Sequence, residues 1–258
     1  MTDEDWSAVR VTGAERPAPV VVVCEHAACH IPADLHDLGL DDAVRRSHVA
    51  WDIGAADMAH SLARALDAPL VEGTLSRLVY DCNRPLASPD CIPERSEVFD
   101  IPGNRGLDAQ ARQGRFLRVH EPFHAAVGQT CRAQTQRTGQ PVALVTAHSF
   151  TPVYRGTPRS VEIGFLHHED ASLAWAALQA ERDKGVYEVA LNAPYSATDG
   201  VTYTLARHGD GEHRPALMIE VRNDLLPDAA AAERMGRHLA DTVGRALGAA
   251  QTTRKAGE

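Results

Sequence analysis

Five short apolar runs punctuate this chain: Val20 to Cys24, Val142 to His148, Ser160 to Leu166, Tyr187 to Leu191 and Ala216 to Val221. Most are separated by stretches whose apolar residues recur at helical spacing. Asp41 to Leu66 carries Val44, Ile53, Met58, Leu62 and Leu66, and Asp108 to Arg137 carries Phe116, Val119, Phe123 and Val127. A shorter helix is expected over Ser172 to Arg182, and a last one from Asp228, placed after Pro227 as an N-terminal cap, to about Leu247. Strands that alternate with helices form a mainly parallel sheet covered on both faces, because each crossover lays its helix against the sheet. The expected fold is α/β, a three-layer α/β/α arrangement around a mainly parallel mixed sheet. Leu78 to Asp81 reads as one more short strand, and Pro85 to Gly106, rich in Pro, Ser, Asp and Gly, as a long loop.

A chain of 258 residues, 44% hydrophobic, can bury the core of one α/β domain. A single domain over residues 1–258 is expected, with its core at about 18–248 and a disordered tail from Gln251 to Glu258. The net charge of −9 argues against a nucleic-acid binder or a protein drawn to anionic membrane, both of which need excess Lys and Arg. No apolar run approaches a membrane span, and the acidic start Met1-Thr2-Asp3-Glu4-Asp5 is unlike a signal peptide, so a cytoplasmic protein is expected. The five cysteines are neither an even set nor a zinc-knuckle pattern, which favours reduced thiols. A small-molecule partner fits this frame, and the oligomeric state stays open.

Imidazoles and acids gather where strands are expected to end: Glu25 and His26, Asp52, Asp81 with Asn83 and Arg84, His148, and Glu220 with Arg222. In an open α/β sheet, ligands bind beyond the carboxyl ends of the strands. Two histidines and one carboxylate would hold zinc with a position left open for water, and the ion would bring that water's pKa toward neutrality. A second, unligated carboxylate would then move the proton. Glu220, in the apolar run Leu217-Met218-Ile219-Glu220-Val221, suits that task because burial raises a carboxyl pKa.

Seven pieces resemble the N-formylglutamate amidohydrolase family, in the same order. They are Cys24-Glu25-His26-Ala27, Trp51-Asp52-Ile53-Gly54, Asp81-Cys82-Asn83-Arg84-Pro85, His120-Glu121-Pro122-Phe123-His124, Ala147-His148-Ser149-Phe150, Asn192-Ala193-Pro194-Tyr195 and Ile219-Glu220-Val221-Arg222. The resemblance covers about residues 18 to 248. It implies a fold similar to zinc-dependent exopeptidases and hydrolysis of an N-formyl or N-acyl amino acid, N-formyl-L-glutamate in histidine breakdown by name. It further implies that Asn83 and Arg84 hold the substrate carboxylate, which a guanidinium fork beside an amide suits. Glu25-His26-Ala27-Ala28, where better-known members read roughly Pro-His-Ser-Gly, marks a divergent branch.

Zinc exopeptidases of the carboxypeptidase kind use a His-x-x-Glu pair, but three residues after His26 stands Cys29. The carboxylate must come from elsewhere: Asp52 is the choice and Glu25 the runner-up, since neighbours on an extended segment point to opposite faces. The expected set is thus zinc on His26, Asp52 and His148, with Glu220 as base. Arg84 or Arg222 would stabilise the oxyanion, and Arg222, Arg207 and Tyr203 would border the pocket. Glu162 is a candidate support for a metal-bound histidine. His120 and His124, four apart, have a metal-like spacing, but Pro122 between them favours packing or substrate contact. Two other readings remain: a binding protein without turnover on the same fold, and a zinc amidase or peptidase for another small acidic amide.

Overall fold

The run Val20–Cys24 places β-branched side chains on both faces, and such a strand belongs in the interior of a covered sheet. In a computed structural model of the chain it lies there, fully buried. The structure describes residues 7–256, with side chains as far as residue 249. Of the tail expected to be disordered from Gln251 to Glu258, residues 251–256 continue the last helix and residues 257–258 lie outside the described residues.

Seven strands form one sheet: β1 (Val9–Thr12), β2 (Val20–Cys24), β3 (Leu70–Gly73), β4 (Ala143–Phe150), β5 (Ile163–Leu166), β6 (Val189–Leu191) and β7 (Ala216–Arg222). Their spatial order is β1-β3-β2-β4-β7-β5-β6. The β1–β3 and β7–β5 pairs are antiparallel, and the other four are parallel. This is the mixed, mainly parallel sheet expected. Strand alternation sorts the side chains between two cores. Val20, Val22, Ala143, Val145, Leu217 and Ile219 pack against helices α1 (Ala55–Ala65), α3 (Ser172–Lys184) and α4 (Ala229–Ala256). Val21, Val23, Leu144, Ala216 and Met218 face α2 (Glu121–Thr138) and the loops before it.

The structure departs from the sequence pattern at three places. Asp41 to Leu66 is two pieces, a single turn at Asp42–Arg45 and then α1, because Gly54 takes a left-handed conformation (φ 79°). A side chain there would also meet Leu226 Cβ at 2.6 Å. Leu78 to Asp81 is a turn rather than a strand: the Ser76 hydroxyl accepts from Leu78 N–H, and Val79 N–H bonds back to the Ser76 carbonyl. The long helix starts as expected with Asp108 capping Ala111 N–H, but a π-turn at Phe116–His120 interrupts it. That wider turn directly precedes Pro122, which cannot supply the N–H an α-helix needs. The loop after Pro85 also contains a two-stranded hairpin, Arg95–Ser96 with Phe99–Asp100. Among the described residues no helix is long and apolar enough to cross a membrane.

Candidate metal centre

β4 and β7 run parallel with His148 directly opposite Glu220. Both share strand parity with Leu144 and Met218, so both side chains point to the α2 face of the sheet. His148 thus lies within its strand rather than past its end. His26 follows β2 in a turn, and the Asp52 backbone N–H donates to the His26 carbonyl at 3.0 Å. The helix break at Gly54 is what leaves Asp52 in a turn, facing the two imidazoles.

The three side chains converge. His148 Nδ1 stands 2.9 Å from Asp52 Oδ2, and His26 Nδ1 3.4 Å from the same oxygen. Ligand atoms of all three lie within 4.8 Å of one another, and all three residues are buried. In a tetrahedral zinc site neighbouring ligand atoms stand about 3.3 Å apart. Metal-binding imidazoles characteristically give their other nitrogen to a carboxylate, which fixes the ring. His26 does so here, its Nε2 bonding Asp81 Oδ1 at 2.8 Å, and His148 Nε2 faces Glu25 Oε2 at 3.1 Å as an ion pair without hydrogen-bond geometry. His26 Nδ1, facing the centre, has no hydrogen-bond partner. A buried cluster of this form could bind a metal ion. Glu25, the runner-up ligand from sequence, stands behind His148.

Electrostatics agree with a cation site. Burial alone would lower both imidazole pKa values, yet Asp81 and Asp52 raise that of His26, and Glu25 and Asp52 that of His148. Burial likewise opposes ionisation of Asp52, but the two histidines hold it well below the usual carboxylate range. Arg77, which sequence reasoning missed, joins the two acids: one terminal nitrogen lies 3.3 Å from Asp52 Oδ1 and the other 2.7 Å from Asp81 Oδ2. Its four-residue spacing before Asp81 was the available signal. Glu220 differs from these acids. Burial, followed by the nearby Asp52, pushes its pKa up to about 7, and its Oε2 has no partner.

A cavity of about 370 Å³ opens onto this centre, lined by His26, Asp52, Arg77, Asp81, His148 and Glu220 at its base. Arg84 lines it too, its guanidinium donating to the neighbouring Asn83 carbonyl. Asn83 lines the cavity, but its amide is engaged: Nδ2 donates to the Val201 carbonyl and Oδ1 accepts from Thr204 N–H. Arg222, Arg207 and Tyr203 are not among the lining residues. Arg222 pairs with Glu162 and Asp224 and donates to the Arg159 and Ser160 carbonyls. Glu162 is accordingly bound to Arg222 and the Glu188 N–H rather than to a histidine of the centre. Arg207 bonds the Tyr203 hydroxyl at 3.0 Å.

The wall carries two rings that sequence analysis left without a role. Tyr154 belongs to a hairpin (Val153–Tyr154 with Thr157–Pro158), and Tyr195 to the turn after β6. Gly164 permits that turn's approach, since a Cβ there would lie 1.9 Å from the Ala193 carbonyl oxygen.

Comparison with known proteins follows the same line. The family model for N-formylglutamate amidohydrolase matches residues 18–226. A solved structure of a gene product from Agrobacterium tumefaciens superposes with a TM-score of 0.93 at 42% identity, covering 97% of this chain and 99% of that one. The N-formylglutamate amidohydrolase from Ralstonia eutropha superposes with a TM-score of 0.71 at 22% identity, covering 97% and 100%, and shares the fold. No curated protein gives a significant match.

Proposed function

Since the chain belongs to the N-formylglutamate amidohydrolase family, we propose that it is a metal-dependent amidohydrolase. It would cleave the amide of an N-formyl or N-acyl amino acid, N-formyl-L-glutamate being the compound the family suggests, into a carboxylate and a free amino acid. One observation carries the reading: two imidazoles and a carboxylate converge in one buried cluster, with an acid of raised pKa beside them on the same cavity.

A divalent ion on His26, Asp52 and His148, zinc being the first to try, would acidify a bound water and polarise the acyl carbonyl. Asp81 and Glu25 hold the two imidazole rings in orientation, and Arg77 fixes Asp52 and Asp81 relative to each other. Glu220, through its unpartnered Oε2, accepts the proton of the attacking water and returns it to the leaving nitrogen. Arg84 makes no ion pair among the described residues, although it lies in the field of Asp81, and it meets the substrate's α-carboxylate as a two-pronged donor. Asn83 contributes by holding the Val201–Thr204 segment beneath that site.

The test is amine release from N-formyl-L-glutamate and other N-acyl amino acids, using zinc-supplied protein and the same protein treated with a chelator. Turnover that chelation abolishes and zinc restores is expected. Metal-loaded protein that releases amine from none of them would overturn the reading.

A further inference from the structure

We propose that the cavity selects N-acyl amino acids whose side chain is uncharged and ring-bearing, in preference to the glutamate side chain. The inference rests on the amidohydrolase reading and concerns what the outer half of the same cavity can hold.

Three arginines line the cavity, and among the described residues only Arg84 makes no ion pair. Arg77 is committed to Asp52 and Asp81, whereas Arg95 stands on the exposed rim, 3.1 Å from Asp100, which Arg105 also holds at 2.8 Å. Beside the centre itself Arg84 is the one lining arginine without an ion pair among the described residues, which provides for one carboxylate there. N-Formylglutamate carries two. With Arg84 on the α-carboxylate, its side-chain carboxylate would leave water for a cavity whose other rim charges include Asp90 and Glu97, the latter paired with His48. An unpaired charge placed there pays a desolvation cost and meets repulsion.

The remaining wall is aromatic. Phe150, Tyr154 and Tyr195 line the cavity, and the Arg159 guanidinium packs against all three rings, 5.4, 4.7 and 4.8 Å from their centroids. Arg159 is not itself a lining residue; it acts as a positioning residue whose cation–π contacts hold the rings in place. Arg222 in turn fixes the Arg159 backbone by donating to its carbonyl. A wall of fixed rings offers edge and face contacts to an aromatic side chain and no ion pair to an acidic one.

The experiment compares kcat/KM of zinc-loaded protein on N-formyl-L-phenylalanine, N-formyl-L-glutamate, N-formyl-L-lysine and N-formyl-L-alanine. Phenylalanine is expected to exceed glutamate by about tenfold or more. Tyr154→Ala, on an exposed hairpin and so safe for folding, should penalise the phenylalanine substrate about tenfold more than the alanine one. A glutamate substrate equal to or better than phenylalanine would overturn the proposal, and its selective loss in Arg159→Gln would identify Arg159 as the missing second cation. A preference for lysine would also overturn it, shifting recognition to Asp90. Calorimetric binding of the same four compounds to the Glu220→Gln protein reads the preference without turnover, so a failed hydrolase reading and a failed specificity reading are told apart.

Discussion

Two groups of buried histidines behave in opposite ways. His26 and His148 face Asp52, Asp81 and Glu25, and these acids outweigh burial and raise both imidazole pKa values. His124 and His208 bond each other at 2.9 Å and stack at 5.1 Å, with His120 tilted against His124 at 4.2 Å. Phe116, Tyr80 and Tyr203 pack around His120, Arg207 stands nearby, and the one acid beside it, Glu121, is half exposed, with Oε1 3.4 Å from His120 Nδ1. Burial first, then arginines and the other imidazoles, lowers all three, His120 and His208 to about 4. The His120/His124 spacing is the one that resembles a metal motif in sequence. The convergent group comes instead from residues 26, 52 and 148, and it is the sole such cluster among the described residues. What sets apart the cluster that could hold a cation is the buried carboxylates around it, not the spacing of its imidazoles.

The largest expected effect within this contrast belongs to the base. Glu220→Gln should lower kcat by about 10² to 10⁴ while leaving metal content unchanged. In the wild type, kcat/KM should climb with pH and level off by about pH 7, because the carboxyl acts ionised and a bound cation draws its pKa below the metal-free value. A Gln variant with wild-type turnover would remove Glu220 from the mechanism.

A smaller effect is expected one bond further out. Asp81→Asn keeps the shape but weakens the partner of His26 Nε2 and of Arg77, so zinc affinity measured by chelator competition should fall by about 10- to 100-fold. Unchanged affinity would mean that the acids do not organise the centre.

The smallest effect at neutral pH comes from the other cluster, and it has a definite sign. An imidazole with a folded pKa of about 4 and an ordinary value of 6.5 is protonated more readily in the unfolded chain. Its contribution is therefore intact above about pH 6.5 and lost as pH falls toward 4, by about 2–3 kcal/mol for a group as buried as His120. His120→Leu should change stability at pH 7 by about 1 kcal/mol or less, since Nε2 makes no hydrogen bond, and should blunt the loss of stability in acid. Denaturant titrations at pH 7 and pH 5 decide it, and equal acid sensitivity in both proteins would contradict the assignment.

Much of this was legible in the sequence because strand ends mark ligand sites. His26, His148 and Glu220 could be found from the apolar runs beside them, and the sheet from the alternation of those runs with helical stretches. Asp52 was found, but inside a helix that the structure breaks at Gly54; periodicity continues across a turn that a single left-handed residue creates. The strand at β1 went unread because four half-exposed residues give almost no pattern. Arg77, Tyr154 and Tyr195 come from turns and a hairpin, whose positions depend on tertiary contacts such as the close approach of Ala193 to Gly164. Arg222 and Tyr203 stood near the right residues in sequence, but Arg222 is bound to Glu162 and Asp224, and neither it nor Tyr203 lines the cavity.

Zinc content by elemental analysis, after loading and exhaustive dialysis, tests the central contrast most directly when made on wild type, His148→Ala and His120→Leu together. The acid-flanked cluster predicts stoichiometric zinc in wild type and His120→Leu and none in His148→Ala. Zinc retained by His148→Ala, or a wild type that stays metal-free, would contradict it.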